Sequence, residues 1–121
     1  MSSILLGKIK NIIEHEFDID ESILENLVKF LGSYNIGMWI YPGVIERRFR
    51  LSMKVVYSIL DLLEKEMILQ AFYELYCSKC QKSCGRVHTF NELPEKFICE
   101  ECDEELPAIE NAILIYKVIA E

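Results

Sequence analysis

Four of the five cysteines form two Cys-x-x-Cys pairs, and this spacing constrains the fold of the chain more than any other feature. The first pair is Cys77 and Cys80, the second is Cys99 and Cys102, and 18 residues separate the two pairs. Two residues between cysteines let a tight turn point both sulfurs at one ion, and a second such turn completes a tetrahedron. A separation of about 15–20 residues is typical of four-thiolate zinc sites. The spacing therefore predicts that Cys77, Cys80, Cys99 and Cys102 bind one structural Zn²⁺, with iron as the alternative ion for four sulfurs.

One cysteine and both histidines are left outside this set. Cys84 is interpreted as a spare thiol beside the first pair, and a fifth, exchangeable ligand or a redox-sensing thiol remain open alternatives. His88 is interpreted as a structural or exposed residue because four cysteines already complete the site. His15 lies among acidic residues far from the cysteines. The cysteines also lack the βαβ context of a dithiol redox enzyme.

Composition and charge exclude several classes of protein. The 121 residues include 20 acidic and 13 basic side chains, which gives a net charge of −7. A negative net charge is unfavourable for a protein whose main ligand is the phosphate backbone of a nucleic acid. With 51% apolar residues, 5 Gly and 3 Pro, the chain is not a disordered one. No apolar run reaches the roughly 18–20 residues of a membrane span, and the start lacks the basic segment of a signal peptide. Because clustered thiols suit a reducing compartment, we expect a folded cytoplasmic protein with no membrane association.

The apolar pattern predicts helices in the first part of the chain and strands in the second. Helices are predicted over about 3–17, 22–32, 43–50 and 52–66. Ser22 and Glu25 match a capping box for the second helix, and Ser52 is the predicted cap of the fourth. Strands are predicted over 37–41, 68–76 and 113–119, with the last two paired.

These elements predict an α+β fold in three parts. Residues 1–76 form a helical, winged-helix-like domain, 77–110 a zinc ribbon, and 111–121 a closing strand packed back on the wing. If the closing strand were instead exposed at a sheet edge, it would offer a surface for homodimerisation or for a partner.

The joined parts resemble the winged-helix/zinc-ribbon proteins, which include the alpha subunit of general transcription factor E, its archaeal counterpart and small prokaryotic proteins. The resemblance rests on the block from Pro42 through Lys54 to Tyr76 and on the four paired cysteines, and it covers about residues 40–121. It implies a winged helix-turn-helix with a C-terminal four-cysteine zinc ribbon. It further implies that the ribbon is structural and that the winged helix contacts DNA or another protein.

Two groups of basic residues are the candidate contact surface. The first consists of Arg47, Arg48, Arg50 and Lys54, and the second of Lys79, Lys82 and Arg86. A winged helix would place the first group on the second helix and at the start of the recognition helix, where phosphates are contacted. If both groups share one face, their local field binds DNA despite the negative total charge.

The predicted recognition helix favours a protein partner as well as DNA. Its outward positions would be Met53, Lys54, Tyr57, Ser58, Asp61 and Glu64. Asp61 and Glu64 would repel phosphate, and no arginine or Asn–Gln pair offers bidentate base recognition. No nucleophile with a base, phosphate-binding loop or open metal position points to an enzyme. The sequence therefore predicts a non-enzymatic regulator that binds DNA or a transcription complex, and the alternative is a protein–protein adaptor or accessory subunit of a larger complex.

Overall fold

The computed structural model describes residues 1–121 and has the predicted α+β fold class. Its helices are α1 (Ser3–Glu16), α2 (Glu21–Gly32), α3 (Pro42–Phe49) and α4 (Met53–Lys65). Its strands are β1 (Trp39–Ile40), β2 (Leu69–Cys77), β3 (Lys82–Val87), β4 (Lys96–Ile98), β5 (Glu105–Pro107) and β6 (Ala112–Val118). No helix combines the length and the apolar character that crossing a membrane requires.

The strands form one four-stranded and one two-stranded sheet. The larger sheet has the order β1-β6-β2-β3, so the last strand of the chain lies beside β2, as predicted. β1 and β6 are antiparallel, with Ile40 opposite Tyr116. β2 and β3 are also antiparallel, and their register shifts between Leu75 and Tyr76. β4 and β5 form the separate antiparallel pair, with Phe97 opposite Leu106.

The chain divides into two compact units. The helical unit comprises Met1–Gln70 together with Tyr116–Glu121, and the cysteine unit comprises Ala71–Ile115. The chain therefore leaves the helical unit within β2 and returns to it within β6. In the sequence, the cysteine unit is therefore an insertion that begins within β2 and ends within β6.

The core of the helical unit consists of the apolar faces of its helices. Their buried residues recur at three- and four-residue intervals, the spacing of an amphipathic helix. They are Leu5, Ile9 and Ile13 on α1, Leu24, Leu27, Val28 and Leu31 on α2, and Val56, Ile59, Leu60 and Leu63 on α4. Ile40, Ile45, Ile68 and Tyr116 are also buried. These segments are not made up only of strong helix formers, so burial of their apolar faces supplies most of the stability of the helices.

One predicted helix cap is confirmed and the other is wrong. Ser52 caps α4, because its Oγ accepts a hydrogen bond of 3.2 Å from the amide of Val55. At α2 the cap is Asp20 rather than Ser22: Asp20 Oδ1 accepts from the Ser22 hydroxyl at 2.7 Å and from the Ser22 amide at 2.9 Å. These bonds lower the pKa of Asp20. A carboxylate displaces the predicted capping box because its charge also interacts favourably with the helix dipole.

Candidate metal centre and basic surface

The four predicted metal ligands lie together in the cysteine unit. The Sγ atoms of Cys77, Cys80, Cys99 and Cys102 all lie within 4.8 Å of one another. Cys77 Sγ is 3.7 Å from Cys102 Sγ, and Cys99 Sγ is 3.9 Å from Cys80 Sγ. Metal–sulfur bonds of about 2.3 Å place the sulfurs of a regular tetrahedron about 3.8 Å apart. The four thiols could therefore hold a metal ion such as zinc.

Both cysteine pairs lie on turns with the same backbone geometry. In the turn between β2 and β3, the amide of Gln81 donates to the carbonyl of Cys77 at 2.7 Å. In the turn between β4 and β5, the amide of Asp103 donates to the carbonyl of Cys99, also at 2.7 Å. Gln81 and Asp103 both have left-handed backbones, with φ of 56° and 58°. Two hairpins thus present equivalent turns to the same point.

Backbone amides in these turns point at the sulfurs. The amide of Cys80 donates to Cys77 Sγ at 3.4 Å. The amides of Cys102 and then Glu101 hydrogen-bond to the Cys99 sulfur and lower its pKa to about 6. Hydrogen bonding to Cys102, with burial adding to it, raises the pKa of Cys80 to about 12. A divalent cation bound by the four sulfurs would favour deprotonation of all four.

Cys84 and His88 lie outside the four-thiol group. Burial, with the nearby Cys99 thiol adding to it, raises the pKa of Cys84 to about 11. His88 Nδ1 lies 3.2 Å from the carbonyl oxygen of Ala71, and its ring is 4.8 Å from that of Phe72. His88 is also exposed, so it makes local contacts outside the four-thiol group, in agreement with its interpretation as a structural or exposed residue.

The second predicted basic group is paired with carboxylates. The pairs are Lys79–Glu104 at 3.1 Å, Lys82–Glu101 at 3.5 Å and Arg86–Glu74 at 3.1 Å. The first pair connects the two cysteine-bearing turns, because Lys79 lies between the first two cysteines and Glu104 follows the last. Each cation here has a nearby negative charge, which weakens the attraction of this group for phosphate.

The first predicted basic group has different surroundings. Arg47, Arg48, Arg50 and Lys54 are exposed and take part in none of the six ion pairs of the chain. Lys29 belongs with them, because it lines one groove with Arg48 and Arg50. Residues 26–60 contain no acidic residue except Glu46. Sequence reasoning missed Lys29 because it is distant in sequence and only the folded helices bring it to this surface.

Helix α4 exposes Lys54, Ser58, Asp61 and Lys65 along one stripe. Of the six positions predicted to face outward, Lys54, Ser58 and Asp61 are exposed, whereas Met53, Tyr57 and Glu64 are half-buried. The face that could enter a DNA groove is therefore narrow and carries an acidic residue.

A scan against protein-family models found no match, and neither did searches of the curated proteins and of the solved structures at the threshold applied.

Proposed function

We propose that this chain is a winged-helix/zinc-ribbon protein that binds DNA, alone or within a transcription complex, as a non-enzymatic regulator. The order α2, β1, α3, α4, β2, β6 supports the winged-helix assignment. So does the position of β6 between β1 and β2, which is the strand order of a winged-helix sheet. The cysteine unit then takes the place of the wing, which in this fold connects the last two strands.

The proposed ion is one structural Zn²⁺. Four thiolates fill a tetrahedral coordination shell and leave no position for water or a substrate, which is the difference between a structural and a catalytic zinc site. Sulfur–sulfur distances of 3.7 and 3.9 Å support this coordination. The ion would stabilise two short hairpins that bury few apolar side chains of their own.

The observation that carries the DNA proposal is the unpaired basic surface of the helical unit. Arg47, Arg48, Arg50 and Lys54 are exposed, and no carboxylate forms an ion pair with them. Phosphate contacts by such cations supply most of the affinity of sequence-independent DNA binding. Lys54 and Ser58 are the exposed polar groups in the first half of α4, and the Ser58 hydroxyl already donates to the carbonyl of Lys54 at 2.8 Å. We therefore expect weak sequence discrimination.

A salt titration tests this proposal. Anisotropy of a labelled 20-base-pair duplex would be measured with the metal-loaded chain and with an Arg47→Ala/Lys54→Ala variant. Loss of two phosphate contacts should reduce the slope of log affinity against log salt by about 2. The matched control, Lys8→Ala/Lys10→Ala, also removes two positive charges and should keep the slope. No duplex binding at low salt by the wild-type chain would overturn the proposal.

The adaptor function is the second candidate, and the exposed stripe of α4 favours it. Asp61 lies in the middle of that stripe and would face phosphate repulsively. If the chain is an adaptor or accessory subunit, Arg47→Ala/Lys54→Ala should leave its affinity for a purified partner unchanged, while duplex DNA should fail to bind.

A further inference from the structure

An open groove in the helical unit combines three cations with two phenylalanines. Its walls include Ile23, Lys29, Phe30, Arg48, Phe49 and Arg50, and its volume is about 720 Å³. We propose that this groove binds an acidic segment of a partner protein, with carboxylates on the three cations and one apolar side chain against the phenylalanines. This binding site goes beyond the proposed contact with DNA.

The charge of the groove indicates an anionic occupant. Lys29, Arg48 and Arg50 are exposed, form no ion pair, and no acidic residue lines the groove. Three like charges around one concave surface raise the local concentration of anions. Arginine in particular offers a planar, bidentate match to a carboxylate.

The backbone conformation of Arg50 positions one of these cations. Arg50 ends α3 with φ 54° and ψ 36°, the left-handed conformation in which glycine is the preferred residue. An arginine held there is unfavourable for the local backbone, yet the conformation places a cation at the edge of the groove. The left-handed conformation that ends α3 thus also positions one of the three cations of the groove.

The aromatic contacts favour a peptide over a nucleobase. The Arg48 guanidinium lies 5.0 Å from the centroid of the Phe30 ring and 6.0 Å from that of Phe49. The two rings meet edge-to-face at 5.6 Å. A nucleobase needs an open ring face for stacking and would have to displace Arg48. A carboxylate can bind the outer edge of Arg48 while the guanidinium stays on the ring, and half-buried Phe30 and Phe49 accept an apolar anchor.

A peptide selection tests this proposal. Random 12-residue peptides displayed on phage would be selected on the metal-loaded, full-length chain. We expect the selected peptides to be enriched in Asp and Glu beside one Leu, Phe or Trp. Their affinity should fall at least tenfold in a Lys29→Gln/Arg50→Gln variant. The matched control, Lys8→Gln/Lys10→Gln, has the same net charge and should bind as the wild type does.

Several outcomes would overturn the proposal. The selection could yield no peptide, or it could yield peptides that are not enriched in acidic residues. The two double variants could also lose the same amount of affinity for the selected peptides. If a labelled 20-nucleotide single strand binds in a way that depends on Lys29 and Arg50, and acidic peptides do not bind, the groove would be assigned to nucleic acid. Self-association lost in the Lys29→Gln/Arg50→Gln variant would assign it to a second copy of the chain. Arg48 and Arg50 belong to both surfaces, whereas Arg47 and Lys54 do not line the groove. The Arg47→Ala/Lys54→Ala test of DNA binding and the peptide selection can therefore fail independently.

Discussion

The phenol of Tyr116 on β6 donates a hydrogen bond of 2.6 Å to Oδ1 of Asp61 on α4. Tyr116 is fully buried, whereas Asp61 is exposed on the outward stripe of its helix. The bond joins the last strand of the chain to the helix that would approach DNA. Asp61, which counts against DNA contact by its charge, therefore has a structural reason to be an acid.

Replacing Tyr116 by phenylalanine should lower the stability of the helical unit. The change removes a hydrogen bond to a charged acceptor, and we expect the free energy of unfolding to fall by about 1.5–3 kcal/mol. Denaturant titration at pH 7 measures it. Asp61→Ala leaves the buried hydroxyl without its acceptor and should also destabilise. A Tyr116→Phe chain as stable as the wild type would mean that the bond contributes nothing.

The same pair predicts a loss of stability at high pH. Burial, and then the Asp61 carboxylate, raise the pKa of Tyr116 well above its ordinary value of 10.0. Above pH 10 the unfolded chain therefore releases this proton while the folded chain keeps it, so stability falls as pH rises. One such group lowers the free energy of unfolding by about 1.4 kcal/mol per pH unit. Unfolding titrations between pH 9.5 and 11.5 should show this additional slope in the wild type, and Tyr116→Phe should lack it.

Features determined by local geometry were predictable from the sequence. Two residues between cysteines determine the turn, and the turn brings each pair of sulfurs together whatever the rest of the chain does. The apolar spacing of α4 and its cap at Ser52 were predicted for the same reason. At α2, however, Ser22 and Asp20 both offer cap acceptors within two residues, and the spacing alone does not choose between them.

Features that depend on strand register were not predictable. Alternation along β2 places Leu69, Ala71, Tyr73 and Leu75 on one face, which leaves Glu74 on the other. In the structure Glu74 is only 2% exposed and pairs with Arg86, the residue opposite it on β3. Both the register shift after Leu75 and the pairing of Glu74 with Arg86 depend on how two strands align. The sequence of one strand alone does not determine that alignment.

Metal analysis should find one zinc ion per chain, bound by the two cysteine pairs. Native mass spectrometry and elemental analysis of the purified chain measure the metal. Cys99→Ser should lose the ion. It should also lose much of the contribution that zinc binding makes to the folding free energy, which is on the order of 10 kcal/mol for structural zinc. Cys84→Ser is the matched control, because Cys84 lies outside the four-thiol group, and it should keep one zinc. A fully folded chain without metal would contradict the proposed site. If the analysis finds iron instead of zinc, the four-cysteine site stands but the proposed ion is wrong.

The two left-handed residues in the cysteine turns predict an unusual stabilising change. Gln81 and Asp103 occupy equivalent positions with φ of 56° and 58°, where a side chain is unfavourable by about 1–2 kcal/mol. Gln81→Gly should therefore stabilise the metal-loaded chain by about 1 kcal/mol. Asp103→Gly should stabilise it less, since aspartate tolerates this backbone region better than glutamine does. Chelator competition and denaturant unfolding measure both effects. Glycine variants that bind zinc more weakly than the wild type would show that these side chains support the turns, rather than merely being tolerated in them.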